Sequence, residues 1–413
     1  MTIDPIVKRR LPPFGSRSCL FVVIILALSG CWNDKSTQIG TSYAITSLLL
    51  DPSSCVTEPV DPANPDPNTD PVDCKTVYVA TAGGGIFKSL DGGGSWARIV
   101  NGLIEWNISK MVMDPKDPMT LYIGTENNGL FKTNDGGANW FSSGTAGTIT
   151  GITAIAIDPH TCLSPPCTDI YVGSQDSGSG VWVSRDIGLS WTQMNTGLAE
   201  TNVTAFTIFS YNKFPSDLYA GTEEGHLYKF NQTGNKWEEA LPGLSEKTVA
   251  SPLVIAVNPL APAGSELYVG TGGGEGQTLG GTFRSIDGGA TWNVVPIPNA
   301  QNYSVRVLTF CLQVEPQCPP TLPDTDDPPE NDPLRESDIL YAGVYGLSKT
   351  APAGGVWTNI DTGLIQSGNN VSSLAIDVLR HTTLYAGTLS GFVIKCQTDC
   401  QNPDNWKRID INL

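Results

Sequence analysis

The chain has 413 residues and carries a formal net charge of −17 at pH 7. It contains no basic block beyond its N-terminal segment, which argues against nucleic acid as a partner. Only 16% of the residues are charged, whereas Gly (44) and Pro (30) are plentiful. This composition suits short strands joined by tight turns and does not suit a helical bundle. The length accommodates either two domains or one large ring of repeats.

Residues 1–30 have the pattern of a lipoprotein signal peptide. A positively charged segment at residues 8–10 precedes an apolar run at residues 19–28, which is too short to span a bilayer comfortably. The run leads into Leu28-Ser29-Gly30-Cys31, which resembles a bacterial lipobox, so we expect cleavage and lipidation at Cys31. An ordinary secretory signal is the alternative. Trp32 in place of Asp favours the outer membrane, by resemblance to enterobacterial sorting, and residues 31–41 would form the tether.

A unit of four short strands recurs seven times along residues 42–413. β-branched and aromatic residues fill the strands, and Gly, Asp and Asn turns separate them. Four antiparallel strands per unit is the arrangement of a propeller blade, so we predict an all-β, seven-bladed β-propeller. The first strands begin near Ile45, Ile108, Ile152, Val203, Val254, Val305 and Val371. The second strands carry Tyr78, Tyr122, Tyr171, Tyr219, Tyr268, Tyr341 and Tyr385. The fourth strands carry Trp96, Trp140, Trp191, Trp237, Trp292, Trp357 and Trp406. The ring closes either by side-chain packing alone or with residues 37–43 added to a blade.

Two insertions, at about residues 52–73 and 319–338, are rich in Pro and Asp and lie between the first and second strands of blades 1 and 6. Asp66-x-Asn68-x-Asp70 is similar to the start of a calcium loop. However, two prolines interrupt it, and the Gly and the distal Glu are missing. We therefore expect stiff, solvated loops there, with calcium binding as the alternative.

Four of the predicted hairpins between third and fourth strands carry one motif. It consists of Ser or Thr, then Asp two positions later, Gly four positions later and Trp seven positions later. The copies are Asp91 with Trp96, Asp135 with Trp140, Asp186 with Trp191, and Asp287 with Trp292. The Asp can accept hydrogen bonds from turn amides, and Gly supplies the positive φ that such a turn needs. Because the motif recurs at one fold position, we predict a structural role for these carboxylates.

These motifs resemble those of the Asp-box, or bacterial neuraminidase repeat, family, over nearly all of the mature chain. In that family the same blades serve sialidases, xyloglucan-cleaving enzymes, sortilin-type receptors and photosystem II assembly factors, so the resemblance implies a fold and not a chemistry. A sialidase is disfavoured because the mature chain has too few arginines for the family's triad at the ring axis. A xyloglucanase needs two propellers, and this chain supplies one. An assembly factor agrees in length and blade count, although its basic ring surface is not evident here.

Eight cysteines remain in the mature chain after Cys31, and they fall into four close pairs. An exported chain meets an oxidising compartment, so we predict disulfides within these pairs. The pairs are Cys55 with Cys74, Cys162 with Cys167, Cys311 with Cys318, and Cys396 with Cys400. A Cys and His zinc site is disfavoured, because no Cys-x-x-Cys spacing occurs and only three His are present.

The turns between second and third strands, and the connections from fourth to first strands, should share the face opposite the Asp boxes. This is the usual ligand face of the family, so its acidic and aromatic residues are the candidate binding residues. They are Glu105, Trp106, Glu126, Asp176, Glu223, Glu275, Tyr303 and Tyr345. No pair among them is marked by a motif, and a solvated acidic rim is the alternative.

The sequence favours a non-catalytic, envelope-anchored scaffold that binds a protein or glycan partner and is itself a monomer. We expect no cofactor and no metal. The alternative is a glycoside hydrolase that acts at the propeller mouth through paired carboxylates, such as Asp176 with Glu223 or Glu275.

Overall fold

The computed structural model divides into Met1–Gly40 and a second compact unit, Thr41–Leu413. The structure describes residues 43–55, 74–144, 149–161, 167–175, 180–209, 216–240, 252–258, 261, 266–272, 281–297, 304–312, 338–344, 346–350, 357–360, 370–376, 383–397, 400 and 405–411. The predicted signal peptide with Cys31, the tether, most of the first insertion and nearly all of the second lie outside these residues.

The described residues form seven antiparallel sheets of four strands each, which is the predicted seven-bladed β-propeller. Blade 1 contains β1 (Ile45–Leu50), β2 (Val77–Thr81), β3 (Gly85–Ser89) and β4 (Ala97–Arg98). Blade 2 contains β5 (Ile108–Met113), β6 (Leu121–Thr125), β7 (Leu130–Thr133) and β8 (Phe141–Ser142). Blade 3 contains β9 (Ile152–Ile157), β10 (Ile170–Ser174), β11 (Gly180–Ser184) and β12 (Thr192–Gln193). Blade 4 contains β13 (Val203–Phe209), β14 (Asp217–Thr222), β15 (Leu227–Asn231) and β16 (Lys236–Glu239).

The remaining three blades repeat this order. Blade 5 contains β17 (Pro252–Val257), β18 (Leu267–Thr271), β19 (Thr282–Ser285) and β20 (Asn293–Val295). Blade 6 contains β21 (Val307–Leu312), β22 (Asp338–Val344), β23 (Gly346–Thr350) and β24 (Trp357–Asn359). Blade 7 contains β25 (Val371–Ile376), β26 (Thr383–Thr388), β27 (Val393–Gln397) and β28 (Trp406–Ile409). The described helices are short 3-10 turns at Pro52–Ser54 and Pro159–Thr161, and none has the length and apolar character needed to cross a membrane.

The first strand of each blade lies innermost, because each contacts the first strands of the blades on either side. The hydrophobic core is divided among seven buried clusters, each of which combines side chains from two neighbouring blades. A single blade therefore cannot bury its apolar faces without its neighbours, as expected for a repeat architecture.

The repeated Tyr of the second strand has a packing role at these interfaces. Tyr171 is buried between blades 3 and 4. Two residues later, Gly173 faces the first residue of the next inner strand, and a Cβ at this position would lie 2.7 Å from Val203 Cγ1. Glycine is needed there because a β-branched side chain of the next blade presses against the backbone. The same approach recurs at Gly124, Gly270, Gly343 and Gly387.

The ring closes between blades 7 and 1 with the contacts used at other interfaces. The Tyr385 hydroxyl donates to the Gly92 carbonyl over 3.2 Å, and the Ser372 hydroxyl donates to the Ile45 carbonyl. Tyr78 of blade 1 similarly donates to an Asp-box carbonyl of blade 2. No strand is exchanged across this junction in the described part of the chain. Of the alternative closing segment, residues 37–43, only Tyr43 is described.

The repeated tryptophans lie in the fourth strands or directly before them, and some of them link neighbouring blades. Trp140 is buried, and its indole Nε1–H donates to the Ile99 carbonyl that follows the fourth strand of blade 1, over 3.0 Å. Trp191 donates in the same way to the Ser143 carbonyl, over 2.8 Å. Trp357 in blade 6 is equally buried, but its Nε1 has no hydrogen-bond partner among the described residues. The same repeat position therefore carries a hydrogen bond in some blades and only packing in another.

Disulfides close two of the predicted loops. Cys55 is bonded to Cys74 at the base of the first insertion. The predicted Cys396–Cys400 bridge is confirmed, and it lies in blade 7 where blades 1, 2, 3 and 5 have an Asp-box turn. Cys167 is also disulfide-bonded. The predicted partners Cys162 and Cys318 lie outside the described residues.

Candidate functional site

Four described Asp-box carboxylates are tied into their own turns. In blade 1, Asp91 Oδ1 accepts hydrogen bonds from the Ser89 hydroxyl (2.7 Å) and the Ser95 amide (2.8 Å), and Oδ2 accepts from the Ser95 hydroxyl (2.6 Å). Hydrogen bonds, first from the Ser95 hydroxyl, lower the pKa of Asp91 to about 2. Turn side chains lower the pKa to about 2 in the same way at Asp135, Asp186 and Asp287. These carboxylates are acceptors for their own hairpins, so the candidate functional site lies elsewhere.

The opposite face, which we call the upper face, is formed by the turns between second and third strands and by the ends of the connections from fourth to first strands. These parts interlock, since the amides of Gly83 and Gly85 both donate to the Trp106 carbonyl. The described candidates Glu105, Trp106, Glu126 and Glu223 all lie there. Outside the described residues lie the other four candidates, Asp176, Glu275, Tyr303 and Tyr345.

Glu105 fastens the connection between blades 1 and 2 to the turn of blade 2. Its Oε2 accepts hydrogen bonds from the amides of Asn127 (3.0 Å) and Asn128 (2.9 Å), and both Asn side chains donate to the same carboxylate. Burial opposes ionisation, but hydrogen bonds from Asn128 and Asn127 outweigh it and lower the pKa of Glu105. Its carboxylate is therefore already engaged within the fold.

Glu126 and Glu223 occupy equivalent positions, each directly after a second strand. The Asn107 side-chain amide donates to Glu126, and the Asn202 side-chain amide donates to Glu223 Oε2 over 2.8 Å. Each pair links a turn to the start of the inner strand in the same blade. The two glutamates are therefore repeated members of the rim rather than partners of one another.

Trp106 is an exposed aromatic side chain on a fixed backbone. It is 45% exposed, and the Arg98 guanidinium carbon lies 3.9 Å from the centre of its ring. Ile104, two residues earlier, is 75% exposed. The cation stacked on one face of the indole limits its rotation and leaves its remaining surface open. Such a rigid, amphipathic surface can contact an apolar or stacking group of a partner.

Blade 4 carries a cluster of titratable residues at the upper face. Glu200 Oε1 lies 3.6 Å from His226 Nε2, and Glu239 Oε1 lies 2.9 Å from His226 Nδ1. Glu224 joins them, since ligand atoms of Glu200, Glu224 and His226 all lie within 4.8 Å of one another. The Tyr228 ring lies beside this cluster, with its centre 6.1 Å from that of the imidazole. Burial raises the pKa of Tyr228, and a backbone hydrogen bond from Ala199, which lowers it, is opposed by the charges of the surrounding glutamates.

The amino-acid sequence alone did not identify these residues as a cluster. Its members come from the connection between blades 3 and 4, from the turn of blade 4 and from its outer strand. A signal was nevertheless present in the alignment of turns. The Gly-Leu-x-Glu sequence ends at Glu105 in one connection and at Glu200 in the next but one, and Glu224 aligns with Asn127.

Comparison with known proteins shows what the fold is similar to. Neither a protein family nor a curated protein matches the sequence. The GH74 xyloglucanase from Xanthomonas campestris superposes with a TM-score of 0.63 at 15% identity, covering 92% of this chain and 56% of that one. An ancestral GH74 enzyme gives 0.62 at 16% identity, covering 89% and 47%. YCF48 bound to D1 peptide gives 0.57 at 12% identity, covering 88% and 94%. The chain thus spans about half the length of the GH74 enzymes, and these similarities support the propeller fold alone.

Proposed function

We propose that the protein is a non-catalytic binding scaffold of the cell envelope that holds a protein or glycan partner on its upper face. The observation that carries this proposal is the exposed Trp106 stacked on Arg98, with Ile104 beside it. Aromatic side chains held rigidly at a surface are typical anchors of binding interfaces, because they lose little conformational entropy on binding.

The engaged state of the described rim carboxylates supports binding over catalysis. A glycoside hydrolase needs two carboxyl groups roughly 5–10 Å apart that are free to act on the substrate. Glu105 is held by four hydrogen bonds from Asn127 and Asn128. Glu126 and Glu223 are each held by an Asn of their own blade. The similarity to YCF48, which is bound to a peptide in one structure, agrees with a protein partner.

A glycoside hydrolase is the second candidate, favoured by the similarity to GH74 enzymes. The described carboxylates that come closest to a catalytic pair are Glu200 and Glu224. However, Glu200 accepts hydrogen bonds from the Thr222 hydroxyl (2.7 Å) and the Glu224 amide (3.1 Å), so it also fastens a turn. Both pairs predicted from sequence include Asp176, which lies outside the described residues.

A comparison of Trp106→Ala with Phe141→Ala tests the proposal. Phe141 is an exposed aromatic on the outer strand of blade 2, 60% exposed, and serves as the matched control. Proteins and glycans captured from the native envelope are quantified for both variants and for the unaltered protein. We expect at least a tenfold loss of the stoichiometric partner with Trp106→Ala only. Equal capture by all three proteins would refute the role of this surface.

The same preparations distinguish the two candidate functions. They are incubated with sialyl, glucan and xyloglucan substrates, and Asp176→Asn and Glu223→Gln are assayed beside them. If the protein turns over a substrate and either substitution abolishes this turnover, the scaffold function is refuted in favour of a glycosidase. A captured partner without turnover supports the scaffold.

The proposed anchor is a lipid on Cys31, and Trp32 favours the outer membrane as its location, by resemblance to enterobacterial sorting. It rests on the charged segment, the apolar run and the lipobox-like sequence at the N-terminus. Two or three acyl chains hold a protein to a bilayer far more firmly than one. Mass spectrometry of the mature N-terminus should show an acylated Cys31. An unmodified terminus at another residue contradicts the anchor and leaves the upper-face test unaffected.

A further inference from the structure

The turns of blades 2 and 4 share one architecture but differ in chemistry. In both, a glutamate from the preceding connection bonds to the turn after the second strand. In blade 2 that glutamate, Glu105, is surrounded by amide donors from Asn127 and Asn128. In blade 4 the residue aligned with Asn127 is Glu224, so a second carboxylate occupies the position at which blade 2 has an amide donor. The turn itself does not require this change, since blade 2 forms it without one.

The imidazole of His226 lies between the carboxylates of Glu200 and Glu239. Its Nδ1 lies 2.9 Å from Glu239 Oε1, at the end of the outer strand. An Nδ1–H that donates to a carboxylate leaves the lone pair on Nε2, the nitrogen that lies 3.6 Å from Glu200 Oε1. Histidines that bind metals usually donate their other N–H to a carboxylate in this way, which fixes the tautomer and the orientation of the ring.

The distances between the side chains of this cluster also fit the ligands of one shared cation. Two ligands of a tetrahedral zinc ion, each about 2.0–2.1 Å from the metal, are about 3.4 Å apart. The 3.6 Å between His226 Nε2 and Glu200 Oε1 is close to this value, and a carboxylate oxygen of Glu224 lies within 4.8 Å of one ligand atom of each of these residues. Among the described residues, His226 is the only side chain that forms an ion pair with Glu200 or Glu239. The cluster therefore combines three acidic groups with a single basic one.

We propose that Glu200, Glu224 and His226 bind one divalent transition-metal ion of the zinc class, with Glu239 orienting the imidazole. An imidazole with carboxylates suits Zn²⁺ better than Mg²⁺ or Ca²⁺, which prefer oxygen ligands alone. The His226 side chain is 29% exposed and Glu224 is exposed, so solvent can reach the ion and supply further ligands. The metal would join the connection between blades 3 and 4 to the turn of blade 4.

Titration of protein without a polyhistidine tag tests this site. Zn²⁺ is followed by calorimetry in excess Mg²⁺, and Co²⁺ is followed by the visible absorption typical of four-coordinate sites. We expect one ion per chain, at least tenfold weaker binding with His226→Gln or Glu224→Asn, and about tenfold weaker binding with Glu239→Gln. Glu224→Asn copies the residue that blade 2 carries, so its fold should be retained.

Glu238→Gln is the matched control, because Glu238 neighbours Glu239 but bonds to Lys236 and Asn231 instead. It should bind Zn²⁺ as tightly as the unaltered protein does. Circular dichroism of each metal-free variant checks the fold. No saturable binding, or binding that His226→Gln and Glu224→Asn leave unchanged, would overturn the proposal. No partner enters this experiment, so its outcome is independent of the scaffold function.

Discussion

Replacement of Trp140 by Phe should measure the indole hydrogen bond that joins blades 1 and 2. The side chain is 2% exposed, and its Nε1–H donates to the Ile99 carbonyl over 3.0 Å. Loss of the larger ring should cost about 1–2 kcal/mol in transfer and cavity free energy. The broken hydrogen bond and the stranded carbonyl should add about 1–3 kcal/mol. We therefore expect Trp140→Phe to lower the free energy of unfolding by about 2–5 kcal/mol.

Trp357→Phe is the matched control for this prediction. Trp357 is 3% exposed at the same repeat position, but its Nε1 has no partner among the described residues. The packing loss is the same, whereas removal of an unpaired buried donor should return about 1 kcal/mol. Urea unfolding followed by far-ultraviolet circular dichroism measures both variants. Equal destabilisation of the two, or a larger effect of Trp357→Phe, would refute the role given to the inter-blade bond.

The remaining two predictions concern glycine and pH. Gly197→Ala should destabilise far more than Gly288→Ala: both have positive φ, but a Cβ at Gly197 would overlap the Trp237 carbonyl, whereas nothing lies within 4 Å of one at Gly288. Thermal unfolding should show that Gly288→Ala lowers the free energy of unfolding by about 1–2 kcal/mol. A similar loss of stability in both variants would contradict the steric argument. The pKa of Asp287 is lowered from 3.8 to about 2, so its stabilisation is present above pH 3.8 and is lost as the pH falls towards 2. Asp287→Asn should make the free energy of unfolding less dependent on pH over that range. An unchanged pH dependence would contradict the stabilising role of the Asp287 carboxylate.

Sequence reasoning recovers the fold because every blade interface repeats the same packing demand. The Tyr of the second strand is followed two residues later by a Gly that admits one β-branched residue of the next blade, as observed at five interfaces, whereas blade 1 has Ala80 at this position. The predicted start of the first strand was right in five blades but shifted in two. In blade 5 the strand begins at Pro252, which pairs with Thr271 across an irregular register. In blade 6 it begins at Val307 rather than Val305. The same irregularity occurs at strand starts that were predicted correctly, so it does not explain the shift. Alternation of residue types does not reveal the residue at which backbone pairing begins.

The candidate site was less accessible to sequence reasoning, because its contacts join different elements. In the sequence, Glu105 has the features of a free carboxylate at the rim. In the structure it accepts hydrogen bonds from Asn127 and Asn128, which belong to the neighbouring blade. No sequence motif with a fixed spacing indicates that hydrogen bond. The histidine cluster likewise needs the fold to bring Glu200 and Glu239 to the two sides of one imidazole. Only a comparison of equivalent turns, in which Glu replaces Asn, points towards it.

Each blade is formed by one continuous stretch of the chain. The chain could therefore begin at any blade and still form the same ring. The junction between blades 7 and 1 has the hydroxyl-to-carbonyl bonds of the other junctions and no exchanged strand among the described residues. A linker as long as residues 99–107, placed between β28 and β1, should therefore close the circle. Opening another connection would then yield a permuted protein with the same seven interfaces. The relative places of the Trp106 surface and the histidine cluster would survive such a rearrangement, wherever the new chain termini lie.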